Sequence, residues 1–116
     1  NEIDIKSVKR SLKLAGLNEF SNDEKLYNFK INPDFKNISE GQAKRLALAR
    51  LFYFQKSILL LDEATANLDK RLEIEILKDL IDNTDLTVIL VSHDPILREM
   101  FEKVYKVENK KLAEIK

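Results

Sequence analysis

Two short apolar runs separated by an amphipathic helix predict an α/β fold with parallel strands and flanking helices. The runs are 58–61 (Ile-Leu-Leu-Leu) and 86–91, with Val88, Ile89 and Val91 in the second. Between them, residues 70–81 put Leu72, Ile76, Leu77, Leu80 and Ile81 on one helical face, with acids and lysines opposite. Continuous apolar runs without polar alternation read as strands buried on both faces, and two of them joined by a helix form a parallel βαβ unit.

The remaining elements follow from local signals. Val8, Leu12 and Ala15 recur at helical spacing after Ser7, and Gly16 stands where a helix stops, so a helix is expected over 7–15. Ser21-Asn22-Asp23-Glu24 has the capping-box pattern and predicts a short helix to Tyr27. Asn32-Pro33-Asp34 is a turn signal. From Gly41 to Phe54 the positions of Ala43, Leu46, Ala47, Leu51 and Phe54 support a long helix. Asp94-Pro95 is an N-cap followed by a first-turn proline. Val104, Tyr105 and Val107, then Leu112 and Ile115, flank Asn109-Lys110 as a terminal β-hairpin, because Asn tolerates the left-handed turn conformation. The division expected is 1–56 as a helical part and 57–116 as a strand-containing part. Two parallel strands alone leave a sheet edge unprotected unless chains pair or swap segments.

Composition narrows the function classes. A chain of 116 residues holds one domain with a modest core. The 20 basic and 20 acidic side chains cancel and are interspersed, so no basic stripe points to nucleic acid or an anionic membrane surface. No apolar stretch is long enough to cross a bilayer. The lack of cysteine excludes disulfides and thiolate metal sites. Asn1 is not a residue that initiator-Met removal exposes, and the sole methionine is Met100, so an excerpt of a longer protein is expected.

Four blocks carry the chemistry. Ser39-Glu40-Gly41-Gln42 opens the long helix, where unpaired N–H groups and the dipole favour an anion, Ser39 adds a hydroxyl donor and Gly41 admits close approach. The same residues are also an ordinary capping box from Ser39 to Gln42. Asp62-Glu63 ends the first apolar strand, the place where α/β folds bind ligands. Asn67-Leu68-Asp69 follows, and Ser92-His93-Asp94 ends the second strand with the only histidine.

In this order, Ile38-Ser39-Glu40-Gly41-Gln42, Ile58-Leu59-Leu60-Leu61-Asp62-Glu63, Asn67-Leu68-Asp69 and Ser92-His93-Asp94 resemble the second half of an ABC-type ATPase, the nucleotide-binding part of ATP-driven transporters. The resemblance runs from Ile38 to about Leu112. It implies a partial P-loop NTPase core with an N-terminal helical subdomain (1–56) carrying the signature motif and a catalytic-edge portion (57–116) carrying Walker B, the D-loop, the switch histidine and the hairpin. The P-loop half is absent, because G-x-x-x-x-G-K-[ST] cannot be built from Gly16 and Gly41. The family's nucleotide-stacking aromatic and its Q-loop glutamine also fall outside the chain, which leaves Phe52, Tyr53 and Phe54 as core and interface packing.

What the resemblance implies can be assigned residue by residue. Ser39, Gly41 and Gln42 would meet the γ-phosphate of ATP held by an opposite protomer, with Glu40 replacing the first glycine of the usual L-S-G-G-Q. Asp62 would hold Mg²⁺, Glu63 would act as general base on the attacking water, Asp69 would align the two sites of a dimer, and His93 would contact the γ-phosphate. ATP and Mg²⁺ are the implied cofactors. The implied partners are a second ATPase domain and a transmembrane domain, with no nucleic acid, at the cytoplasmic face of the cell (inner) membrane.

The implied function is an ATP-hydrolysing subunit of a transporter. Glu63-Ala64-Thr65 and Leu14-Ala15-Gly16-Leu17-Asn18-Glu19-Phe20 resemble the exporter branch, whereas 32–37 departs from the Val-Gly-Glu stretch that exporters often carry. A soluble ABC ATPase of translation or chromosome maintenance is the enzymatic alternative; those families usually carry Glu where Gln42 stands, or insert a coiled coil absent here. A third reading, for the chain by itself, is a non-catalytic binding or dimerisation module that neither grips nor turns over Mg-ATP.

Overall fold

The computed structural model describes residues 2–22, 28–54 and 57–116. Its elements are helices α1 (Ile5–Leu14), α2 (Asn18–Asn22) and α3 (Glu40–Phe54), strand β1 (Ile58–Asp62), helix α4 (Lys70–Asn83), strand β2 (Thr87–Val91), a 3₁₀ helix (Pro95–Met100), and strands β3 (Tyr105–Glu108) and β4 (Lys111–Glu114). Strands β1 and β2 pair in parallel, from Ile58 opposite Thr87 to Asp62 opposite Val91. Strands β3 and β4 form an antiparallel hairpin of their own.

Local chemistry explains the boundaries. Asp4 caps α1 by accepting from the Lys6 N–H, so the helix begins two residues before the expected Ser7. At its end, the Gly16 N–H donates to the Lys13 carbonyl and the Leu17 N–H to the Leu12 carbonyl. That is a Schellman motif, and Gly16 sits in the left-handed region (φ 72°) that it requires. A Cβ there would lie 2.9 Å from Leu72 Cδ1, so glycine also permits α4 to approach. The Phe35 N–H donates to the Asn32 carbonyl at 2.8 Å and closes the turn around Pro33. Asp94 caps the 3₁₀ helix through the Ile96 N–H, with Pro95 in the first turn. Asn109 and Lys110 both have positive φ (50° and 60°), the two-residue hairpin geometry whose twist matches that of its strands.

Three expectations need correction. Ser21 and Asn22 lie inside α2 and do not start a helix; the Ser21 hydroxyl donates to the Asn18 carbonyl. The rest of that expected helix, 23–27, lies outside the described residues. Phe52 is buried, but Phe54 is exposed and meets the Tyr53 ring edge-on at 4.9 Å.

The strands are also not buried on both faces. Leu59 and Leu61 face a core shared with Leu12, Ala15 and Leu17, with Leu48, Ala49 and Phe52 of α3, with Ile76, Leu77 and Leu80 of α4, and with Leu97. Ile58, Leu60, Ile89 and Val91 are 48–64% exposed on the other face. All the described helices that join this core reach it through the same face of the sheet, so the second face has no cover. The radius of gyration, 15.8 Å, exceeds the ~13 Å of a compact chain of this size, consistent with that one-sided packing.

Candidate functional site

Two groups of motif residues take shape at different places. The first is the N-terminus of α3. The Ser39 N–H donates to Gln42 Oε1 at 2.9 Å, and the Gln42 N–H donates to Ser39 Oγ at 3.1 Å. This reciprocal capping box satisfies two of the donors left over at a helix start and leaves the Glu40 and Gly41 N–H groups as first-turn donors. The Ser39 hydroxyl accepts in this arrangement and keeps its own proton to donate. Nothing lies within 4 Å of where a Gly41 Cβ would stand, so the approach to those N–H groups is open. Glu40 pairs with Lys44 one turn on at 2.8 Å, and that hydrogen bond lowers the Glu40 pKa. Arg45 anchors the helix from below: its Nη1 donates to the Gly16 carbonyl at 2.8 Å and its Nε to the Gly41 carbonyl at 3.2 Å.

The second group gathers at the C-terminal tips of the paired strands. Asp62 closes β1 with its side chain on the uncovered face. The Glu63 N–H then donates to the Val91 carbonyl at 3.0 Å, which extends the ladder one residue and lines up the two strand exits. Glu63 itself has φ 50°, a conformation that costs a side-chain-bearing residue energy and clusters at functional positions. His93 Nε2 lies 3.2 Å from Glu63 Oε1. The approach is close but makes no hydrogen bond, and Glu63 Oε1 remains a buried oxygen with no hydrogen-bond partner among the described residues. His93 projects almost wholly into solvent while Glu63 is half-buried. The carboxylate thus keeps one oxygen without a hydrogen-bond partner beside the imidazole.

Asp69 has a definite local job. Its Oδ1 accepts from the Arg71 and Leu72 N–H groups at 3.1 and 3.2 Å, capping α4. Among the described residues no hydrogen bond or ion pair joins Ser39, Gly41 or Gln42 to Asp62, Glu63, Asp69 or His93. The structure brings Glu63 and His93 together and keeps the α3 start as a separate cluster.

Sequence reasoning missed a third set of residues next to this site. Glu73 is 1% exposed; it accepts from the Thr65 hydroxyl at 2.7 Å and from the Lys70 ammonium. Lys70 also donates to Asp94. The signal was available: 73 lies three and four residues before Ile76 and Leu77, on the apolar face of α4. The Asp94 hydrogen bond, then that of Glu73, raise the Lys70 pKa, and Lys70 in turn lowers that of Asp94.

Two concavities lie elsewhere. One runs between α1 and α4, past Lys13, Gly16, Leu72 and Asp79; the other opens beside Phe52, Ser57 and Leu86, at the N-terminal ends of the strands. Ligands of α/β sheets bind at the C-terminal ends, where Asp62, Glu63 and His93 stand. Among the described residues no three Asp, Glu or His side chains converge as a metal set. Asp62 is a single carboxylate at the exposed end of β1, and Mg²⁺ is a cation that takes one or two carboxylates and completes its shell with phosphate oxygens and water.

Comparison with known proteins decides the family. The sequence model of the ABC transporter family matches residues 4–66. The chain belongs to the ABC transporter family. It is 38% identical over 116 residues to ABC transporter B family member 29, chloroplastic, of Arabidopsis thaliana, a match spanning 97% of this chain and 18% of that protein. It is 34% identical over 116 residues to the thiamine import ATP-binding protein ThiQ of Haemophilus influenzae, across 93% of this chain and 54% of that one. Among solved structures, a bacterial Atm1-family ABC exporter with ATP bound superposes with a TM-score of 0.74 at 25% identity, covering 93% of this chain and 19% of the exporter chain. The chain therefore spans about a fifth to a half of the lengths of these relatives. The ABC ATPase likeness places the observed parallel pair within a P-loop NTPase fold. Among the described residues no helix is long and apolar enough to cross a membrane.

Proposed function

We propose that this chain is the signature-to-switch portion of an ATP-hydrolysing ABC transporter subunit, and that it supplies two half-sites to a dimer of ATPase domains. The observation that carries the reading is the Glu63–His93 pair: an acid with a buried, unpartnered oxygen, 3.2 Å from an imidazole, at the exit of two parallel strands. Residues 1–56 act as the helical subdomain and 57–116 as the catalytic edge of the core.

In this proposal Glu63 accepts the proton of the attacking water at Oε1, and the energetic value of such general-base help is about 10²–10⁴-fold in rate. His93 donates a hydrogen bond to the γ-phosphate from its exposed ring and holds the water against Glu63. Asp62 holds Mg²⁺, which when bound neutralises charge on the β- and γ-phosphates. The α3 start meets the γ-phosphate of ATP on the opposite domain through the Ser39 hydroxyl and the Glu40 and Gly41 N–H groups, with Gln42 keeping Ser39 in place through the capping box. Asp69, by fixing the start of α4, sets the D-loop along the same interface.

The P-loop that grips the phosphates lies outside these residues, so the chain alone neither holds Mg-ATP tightly nor turns it over. The further partner is the protein's transmembrane part, at the cytoplasmic face of the membrane. Export is the direction we favour, supported by the exporter superposition and by the likeness of Glu63-Ala64-Thr65 to the exporter branch. The ThiQ relative favours import as the second reading. ATP-dependent efflux or uptake in oriented vesicles separates the two directions. For the chemistry, Glu63→Gln in the full-length protein is expected to keep nucleotide binding and to cut ATP hydrolysis by about 10²–10⁴-fold. Wild-type turnover in that variant would remove Glu63 from its assigned role.

A further inference from the structure

The buried acid Glu73 and the cation beside it take no part in the chemistry proposed above, yet they link the loop after Glu63 to the loop after His93. Thr65 lies two residues after Glu63, and its hydroxyl donates to Glu73 Oε1 at 2.7 Å. Asp94 lies one residue after His93, and its Oδ1 accepts from the Ile96 N–H at 2.9 Å. Lys70, the first residue of α4 and the neighbour of Asp69, donates from one ammonium to Glu73 Oε2 and to Asp94 Oδ2.

We propose that Lys70 is a positioning residue that, by bridging Glu73 and Asp94, holds the loop carrying His93 against the loop carrying Glu63. This rests on reading Glu63 and His93 as the reacting pair.

Geometry supports it from both sides. The strand ladder aligns the two exits only as far as the Glu63 N–H and Val91 carbonyl. Beyond that point the backbone turns away, and His93, nearly fully exposed, has no packing to hold it. The only side-chain links among the described residues that tie the 92–94 segment to the rest of the site are the His93–Glu63 approach itself and the Lys70–Asp94 bond. The anchor at the other end is firm, because Glu73 and Thr65 are each 1% exposed. A cation is the right group for this task. Glu73 is an acid inside the core and needs an opposite charge there, while the three N–H donors of the Lys70 ammonium let that one group serve two acids. The bond to Lys70 also lowers the Asp94 pKa, which favours the charged form of that acid.

Two variants test the bridge without simply breaking the fold. Lys70→Met combined with Glu73→Gln removes the ammonium and the buried charge together, so no uncompensated carboxylate is left inside. Asp94→Asn keeps an acceptor for the Ile96 N–H and removes the charge that Lys70 holds. His93 is the only histidine of the chain, so its imidazole signals are unambiguous by NMR. The expected result is a nuclear Overhauser contact between the His93 ring and the Glu63 side chain in the wild-type chain. That contact is lost or sharply weakened in both variants, while α4 amides stay protected from exchange. In the full-length ATPase both variants should lower kcat by about 10–100-fold, the scale of an ångström-size misplacement, with KM for ATP within twofold. A His93–Glu63 contact undiminished in the variants, or absent from the wild type, overturns the proposal. If Glu63→Gln leaves turnover intact, the functional reading fails separately, and the NMR contact still decides whether Lys70 positions the loop.

Discussion

The start of α3 and the tips of β1 and β2 carry motif residues of the same family, but they are held in opposite ways. At α3, Ser39 and Gln42 satisfy each other within four residues, and Glu40 pairs with Lys44 one turn on. At the strand tips, Glu63 is fixed by Val91, Thr65 by Glu73, and Lys70 by Asp94, contacts that reach far along the sequence, with Lys70 and Asp94 24 residues apart and Glu63 and Val91 farther still. A locally closed site survives wherever its helix forms. The strand-tip site exists only while the tertiary fold brings two loops together, and it is the end that is expected to respond to distant perturbation.

This contrast can be broken at several points, and the largest effect is expected in the core that the two regions share. Leu77 is fully buried in that core. Leu77→Ala is expected to cost about 2–5 kcal/mol in denaturant unfolding. It should also disperse the His93–Glu63 contact before it frays the first turn of α3.

Next in size is Thr65→Val, which keeps the shape and removes the hydroxyl that donates to Glu73. A buried acceptor left short of a donor costs about 1–3 kcal/mol, read as a lower unfolding midpoint at unchanged slope. Ser39→Ala removes the cap of α3 and is expected to cost about 0.5–2 kcal/mol. Its effect should stay local, with faster amide exchange confined to the first turn of α3 and an unchanged His93 spectrum. A His93 shift in Ser39→Ala would erase the distinction between the two regions.

The smallest effect is in acid. Asp94 and Glu40 both have lowered folded pKa values, from the Lys70 and Lys44 hydrogen bonds respectively. A lowered carboxyl pKa contributes stability that is present above the unfolded value, near 3.8 for Asp94 and 4.5 for Glu40, and that is lost as pH falls through the folded value. Both pairs are exposed enough for salt to screen them. The wild-type His93–Glu63 contact should weaken as falling pH protonates Asp94, and Glu40→Gln should leave that acid limb unchanged, whereas Asp94→Asn should show the weakened contact at every pH. A loss of the same size in both variants would mean that the bridge has no special reach.

Much of the fold was legible because its signals are short-range. Gly16 marks the end of α1 through a left-handed turn, Asp94-Pro95 marks the start of the 3₁₀ helix, and Asn109-Lys110 marks the hairpin. Each works within a handful of residues. The outward faces of Ile58, Leu60, Ile89 and Val91 were misread, because an apolar run says that a strand can be buried on both sides and not what covers it. Glu73 was missed for a related reason. Its charge suggested solvent, while its place on the stripe with Ile76, Leu77 and Leu80 put it inside, where only Lys70 and Thr65 make it tolerable. Of the candidate site, the cap that Asp69 gives α4 was not read from the sequence, whereas the capping box of Ser39 and Gln42 could be read locally. The Glu63–His93 approach could not, since it depends on the register of two strands.

The central claim is that these residues complete an ATP site whose phosphate grip lies elsewhere in the protein. Calorimetric titration of Mg-ATP into the 116-residue chain, beside the same titration into the full-length protein, tests it most directly. No saturable heat is expected from the chain alone, and clear binding is expected from the full-length protein. Saturable micromolar binding by the chain alone would contradict it, because the start of α3 and the strand tips would then hold the nucleotide without a P-loop.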